Sequence, residues 1–150
     1  MTAAVTFAVV FAALGAGHQV GDYWVQTDRQ AAAKAAPGWP GRRACAAHVA
    51  TYTLTLAACL ALAAWRLSVP VAAGPAAAGL AVSAVTHYAA DRRRPLKRLA
   101  QVLGASLVPG KGRYYAAGDG LATGAAYLDQ AWHWIWLFVS ALVIAGGWPS

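Results

Sequence analysis

A chain of 150 residues that is 59% hydrophobic and 11% charged, with a mean hydropathy of +0.46, is too apolar for an ordinary soluble domain and too short for two domains. Twelve Lys and Arg against five acidic residues give a net charge of +7, a balance that by itself would suit a nucleic-acid partner. Placement excludes that use: every basic residue except Arg66 falls in the two segments that follow the first and third apolar runs, the pattern of cytoplasmic loops in a membrane protein.

Four runs reach the roughly 20 apolar residues that a bilayer-crossing helix needs: approximately 2–26, 43–67, 69–90 and 122–147. The expected fold is all-α, a single integral-membrane domain over residues 1–150, folded as a four-helix antiparallel bundle with both termini outside and the basic loops in the cytoplasm. The start Met1-Thr2-Ala3-Ala4-Val5 lacks a basic region, so run one is read as a retained helix rather than a signal peptide.

Run one turns polar at Gly17-His18, and His18, Asp22 and Gln26 follow at i, i+4 and i+8, one polar stripe on an apolar rod. Thr27 to Ala36 continues as a short helix, stopped by a turn at Pro37-Gly38-Trp39-Pro40-Gly41. Run two carries His48 and Tyr52 one turn apart, and Trp65-Arg66 mark its outer end, where an amphipathic ring and a snorkelling cation belong. Cys45 and Cys59 lie within this one helix, fit no metal or redox spacing, and are read as packing residues.

Run three starts with Pro70 and Pro75, and ends with His87 and Asp91 at i, i+4 ahead of Arg92-Arg93-Arg94. Over 94–107, Arg94, Lys97, Arg98 and Gln101 share one helical face while Leu96, Leu99, Leu103 and Leu107 share the other. That reads as an interfacial amphipathic helix on the inner leaflet, with the bilayer and its anionic lipid head groups as partners. The Gly118-Asp119-Gly120 segment is too loose for a phosphate loop, and run four brings Asp129, Gln130 and His133 before leaving at Trp148.

Runs one and three descend toward the cytoplasm and runs two and four ascend from it. At 1.5 Å per residue, His18, His48, His87 and His133 therefore share one depth, within two or three turns of the inner boundary. Ionisable groups inside a membrane are costly unless they face the bundle interior and find partners. Four His with Asp22, Asp91 and Asp129 supply enough nitrogen and oxygen ligands for one divalent ion with supporting carboxylates, zinc first, or for two ions bridged by an Asp, where iron and manganese also fit. Gln26 and Gln130 are expected around the ligands, and the bland alternative is that each His–Asp pair satisfies itself, with the glutamines as interhelical hydrogen-bond glue.

The ordered set Gly17-His18-x-x-x-Asp22-Tyr23-x-x-Gln26-Thr27, Lys34, His48, His87-x-x-x-Asp91-Arg92 and Leu128-Asp129-Gln130-x-x-His133 resembles the small bacterial and phage membrane proteins grouped as domain of unknown function 3307. The resemblance spans nearly the whole chain and departs at Tyr23, where that family often has Phe. It implies a helical protein of the bacterial inner membrane and no particular reaction, with a distant similarity in style to membrane-bound metal-dependent hydrolases.

The expected function is a metal-dependent hydrolase working at the cytoplasmic face on a membrane-proximal or lipid-linked substrate, with Asp22, Asp91 or Asp129 as the catalytic carboxylate. The competing readings are a metal carrier or sensor without turnover, and a haem or di-metal redox protein. A homo-oligomer is compatible with so apolar a surface.

Overall fold

Thr2 opens the first helix by accepting the amide of Val5 at 3.4 Å, a cap that a hydroxyl provides where the first N–H groups have no partner. The computed structural model describes residues 2–118 and 123–146. Seven α-helices follow in order: α1 Ala3–Val20, α2 Asp28–Ala33, α3 Gly38–Leu67, α4 Ala73–Asp91, α5 Arg94–Ser106, α6 Lys111–Ala116 and α7 Gly124–Gly146. Among the described residues there are no strands.

Run one does not stay α-helical to its end. From Gly21 to Val25 the chain widens into a π-helical turn, and Gln26 leaves it with extended backbone (φ −63°, ψ 126°). Such a wide turn rotates the side chains after it, so the polar stripe holds from His18 to Asp22 and is broken before Gln26. Thr27 then starts α2 with a capping box in which its hydroxyl accepts the Gln30 amide while the Gln30 side chain accepts the Thr27 amide at 2.9 Å.

The Pro- and Gly-rich stretch expected as a turn is instead the first turn of α3, whose cap is Pro37. Gly38 takes the positive φ (+74°) that turns the chain, and Pro40 stands where a missing N–H leaves no helical hydrogen bond unmade. α4 begins at Ala73 rather than near 69, because Pro70 stays in the connection and only Pro75 lies in the first helical turn. A helix forms over Arg94–Ser106, burying Leu96 and Ala100, and is followed by α6. Residues 119–122 and 147–150, with the Gly118-Asp119-Gly120 segment in part and Trp148, lie outside the described residues.

Three helical stretches among the described residues are long and apolar enough to cross a membrane: Ala3–Val25, Gly38–Leu67 and Gly124–Gly146. α4 falls short of that apolarity, since Ser83, Thr86, His87, Tyr88 and Asp91 occupy a helix of only 19 residues.

The long helices close a ring: α1 packs on α3 and α7, and α4 packs on the same two, so α1 faces α4 across the centre. Small residues set the spacing. A Cβ on Gly79 of α4 would meet Ile144 Cγ1 at 2.5 Å and the Ser140 carbonyl at 2.8 Å, so α4 lies against α7 at a distance only glycine allows. One half of the interior is filled by Val10, Leu14, Leu56, Leu60, Leu137 and Ile144, flanked by edge-to-face contacts of Phe138 with Phe7 and Phe11. At the α3 end Arg66 stacks over the exposed Trp65 ring at 5.5 Å.

Candidate metal centre

The other half of the interior is polar. His18, His48, His87 and His133 are each at most 3% exposed, and Asp91 is 3% exposed. Each reaches the centre from a different helix: His18 and Asp22 from the α1 end and its π turn, His48 from α3, His87 and Asp91 from α4, and His133 with Asp129 from α7.

Four atoms draw closest. Nε2 of His48 lies 3.0 Å from Nε2 of His87, 3.4 Å from Asp22 Oδ1 and 3.4 Å from Asp91 Oδ2. Nε2 of His87 lies 3.5 Å from the same Asp22 oxygen and 3.3 Å from the same Asp91 oxygen. With ligand bonds of 2.0–2.1 Å, a tetrahedral ion has ligand-to-ligand edges of about 3.3 to 3.4 Å, and these five separations scatter around that length. Asp22 Oδ1 and Asp91 Oδ2 have no hydrogen-bond partner among the described residues, so the two carboxylate oxygens that face the nitrogens are otherwise unspent.

The groups around these four hold them in place. Asp22 uses its second oxygen toward His18 Nδ1 at 3.3 Å, and His18 Nε2 is 3.2 Å from Gln130 Oε1. Asp91 directs its second oxygen at Lys34 Nζ, 2.6 Å away. Lys34 is itself placed by Arg92, whose guanidinium donates to the Lys34 and Ala36 carbonyls at 2.6 and 2.8 Å and so ties the end of α2 to the end of α4. Tyr52 lies against the His87 ring with centroids 3.8 Å apart and exchanges a 3.3 Å hydrogen bond with Ser83.

His133 is arranged differently. Its Nδ1 sits 2.7 Å from the Asp129 carbonyl, which can only accept, so Nδ1 carries the hydrogen and the neutral ring presents Nε2 as an acceptor. That Nε2 is buried without a partner among the described residues, as is Nδ1 of His48 and of His87. The His133 ring stacks on His18 with centroids 5.1 Å apart.

All seven sequence-selected ligands thus come together. They form three overlapping groups whose ligand atoms lie within 4.8 Å of one another: His18, Asp22 and His87; His48, His87 and Asp91; Asp91, Asp129 and His133. Buried His and Asp of this kind could hold a metal ion. Gln130 joins them through His18, whereas Gln26 makes no hydrogen bond to any of them and its Nε2 is buried without a partner among the described residues.

Sequence reasoning missed the roles of Lys34 and Arg92, which it had assigned to topology. The available signal was position: Lys34 is the lone cation between Arg29 and Arg42, in an alanine-rich segment where a purely topological charge has no reason to be single. Beside Asp91 and Asp129 opens a cleft of about 530 Å³, lined also by Lys34, Arg93 and Tyr115. Burial pushes the Tyr115 hydroxyl above its ordinary pKa, with Arg93 opposing and Asp129 reinforcing the shift, so it stays a neutral donor.

No family model matches the chain, and comparison with curated proteins and with solved structures likewise yields no match.

Proposed function

We propose that this protein is a membrane-embedded, metal-dependent hydrolase whose ion is held by His48, His87, Asp22 and Asp91. The observation that carries the reading is the convergence of those four atoms from three helices, the two imidazole nitrogens 3.0 Å apart and each 3.3 to 3.5 Å from one oxygen of Asp22 and one of Asp91. Two imidazoles and two carboxylates suit zinc first, with iron or manganese compatible.

In this reading α4 is a fourth span, the long helices alternate in direction, and the polar end of the ring faces the cytoplasm of a bacterial cell. The basic residues around that end support the orientation, and the motif resemblance to the unknown-function 3307 family agrees with such a membrane fold. The buried ion pairs also find their reason here, because an ionisable cluster of this size inside a membrane is costly without a task.

A divalent ion held by these residues would supply Lewis-acid chemistry and lower the pKa of a water toward neutrality. Asp129 lines the cleft outside the four-atom set and is 30% exposed, so it is the carboxylate placed to take a proton from the attacking water. His18 and Lys34 orient the two carboxylates through the oxygens that face away from the ion. Two features speak against two of the competing readings. The half filled by Leu14, Leu56 and Leu137 is apolar where a carrier would need polar residues, and 3.0 Å between the His48 and His87 nitrogens leaves no space for a porphyrin plane between them.

Elemental analysis by mass spectrometry of untagged protein in mild detergent tests this. Near-stoichiometric metal is expected in the wild type and in His133→Ala, and background metal in His48→Ala and His87→Ala. A wild type that takes up no ion after incubation with zinc, iron and manganese in turn overturns the reading.

A further inference from the structure

Arg93 is a non-glycine residue at φ +57°, ψ −37°, held there by its amide on the Ala90 carbonyl at 2.7 Å and by its own carbonyl accepting the Lys97 amide at 3.0 Å. A side chain in that backbone region is strained, and strain of this kind persists where surrounding structure enforces it, commonly at ligand sites. What the conformation achieves is to break the helix between α4 and α5 and set Arg93 on the wall of the cleft beside the candidate metal centre, opposite Tyr115. Arg93 is exposed and has no carboxylate within ion-pair distance among the described residues, unlike Lys34, which is engaged by Asp91.

The cleft shares a wall with a second pocket. Leu96, the buried residue of the first turn of α5, lines both the cleft and a second, apolar groove of about 250 Å³ between α5 and α7. Leu99, Leu103, Trp132 and Ile135 form that groove, with Ile135 54% and Leu99 38% exposed. α7, one wall of this groove, is among the helices apolar enough to cross a membrane, and Lys111 stands at the groove's edge. The cleft sets Lys34 and Arg93 against Asp91 and Asp129, which leaves Arg93 as its unengaged cation, and this cation beside an apolar groove that shares one wall has the polarity order of a single molecule with an anionic head and an alkyl tail.

We infer that the substrate is an anionic phospholipid-type amphiphile, its phosphate received by Arg93 and Tyr115 beside the metal centre and its acyl chain lying along Leu99, Leu103 and Ile135. This inference rests on the metal-hydrolase reading for the identity of the reacting end, and the charge complement comes from this chain alone. Arg93 offers a planar fork of N–H donors matched to phosphate oxygens, Tyr115 a neutral O–H, and Lys34 the ammonium hydrogens not given to Asp91.

The test is native mass spectrometry of the zinc-loaded protein in detergent, titrated with dioctanoyl phosphatidic acid, dioctanoyl phosphatidylcholine and inorganic phosphate, with zinc counted in the same spectra. Phosphatidic acid is expected to bind at least tenfold more tightly than either control. Arg93→Gln is expected to weaken phosphatidic acid about tenfold or more while leaving phosphatidylcholine unchanged, the scale of a lost charged hydrogen bond. Leu103→Trp, which fills the groove, is expected to weaken both lipids and leave phosphate unchanged. Circular dichroism melts confirm that each variant folds, and Tyr115→Phe gives a second, milder reading of the head site. Zinc bound with equal affinity for the two lipids, or phosphate as tight as phosphatidic acid, overturns the lipid inference and leaves the metal site standing. No zinc, with the Arg93- and Leu103-dependent lipid preference intact, overturns the hydrolase reading and leaves the lipid site standing.

Discussion

The two halves of this helix ring are held together by different physics. In the apolar half, Val10, Leu14, Leu56, Leu137 and Ile144 fill space, and any set of side chains of similar shape would serve. In the polar half, His48, His87, Asp22 and Asp91 are positioned atom by atom, and three of them have a second group behind them: His18 behind Asp22, Lys34 behind Asp91, Tyr52 behind His87. The lesson is a division of labour. Packing sets the distance between helices, and that distance decides whether the two imidazole nitrogens and the two carboxylate oxygens meet or miss.

The largest effect should come from breaking the polar half at its centre. His87→Ala removes a nitrogen that lies within 3.5 Å of every other member of the four-atom set, and metal content measured by elemental analysis is expected to fall from near-stoichiometric to background. Next in size is Leu56→Ala, which empties a fully buried position of the apolar half and is expected to cost about 2 to 5 kcal/mol in a denaturant titration. Metal is expected to stay bound to that variant, and its loss would merge the two halves into one cooperative unit.

Lys34→Met sharpens the comparison from the edge of the site. Asp91 keeps its place in the ion's shell but loses its 2.6 Å partner, and metal affinity by competition with a chelator should weaken roughly 10- to 100-fold without loss of the fold. The smallest effect is expected at Leu54, which is 70% exposed on the outside of α3. Leu54→Ala should shift stability by no more than about 0.5 kcal/mol and metal content not at all.

Much of this arrangement was legible in the residues. His87 and Asp91 at i, i+4 predicted a pair that the structure shows with 3.3 Å between the facing atoms, and the run lengths predicted four imidazoles at one depth. Gln26 was not legible, because a π turn cannot be seen in Gly21-Asp22-Tyr23-Trp24-Val25 and it rotates the stripe away. Nor was the start of α3, where Pro40 looked like a breaker and proved compatible with a first turn. Arg92 to Arg94 read as one basic cluster, yet Arg92 is spent on the carbonyls of Lys34 and Ala36 while Arg93 faces the cleft.

What the sequence determined by itself was a helical class and its list of polar residues: apolar run length requires helices, and helical spacing pairs three of the four His with an acid, His18 with Asp22, His87 with Asp91 and His133 with Asp129. What only the tertiary structure decided was which of those polar atoms face one another. Asp22 is spaced to serve His18 on its own helix, yet it also lies 3.4 Å from His48 and 3.5 Å from His87 on two others. The rotation of each helix about its axis, set by contacts such as Gly79 against Ile144, made that choice, and no local pattern in the chain encodes it.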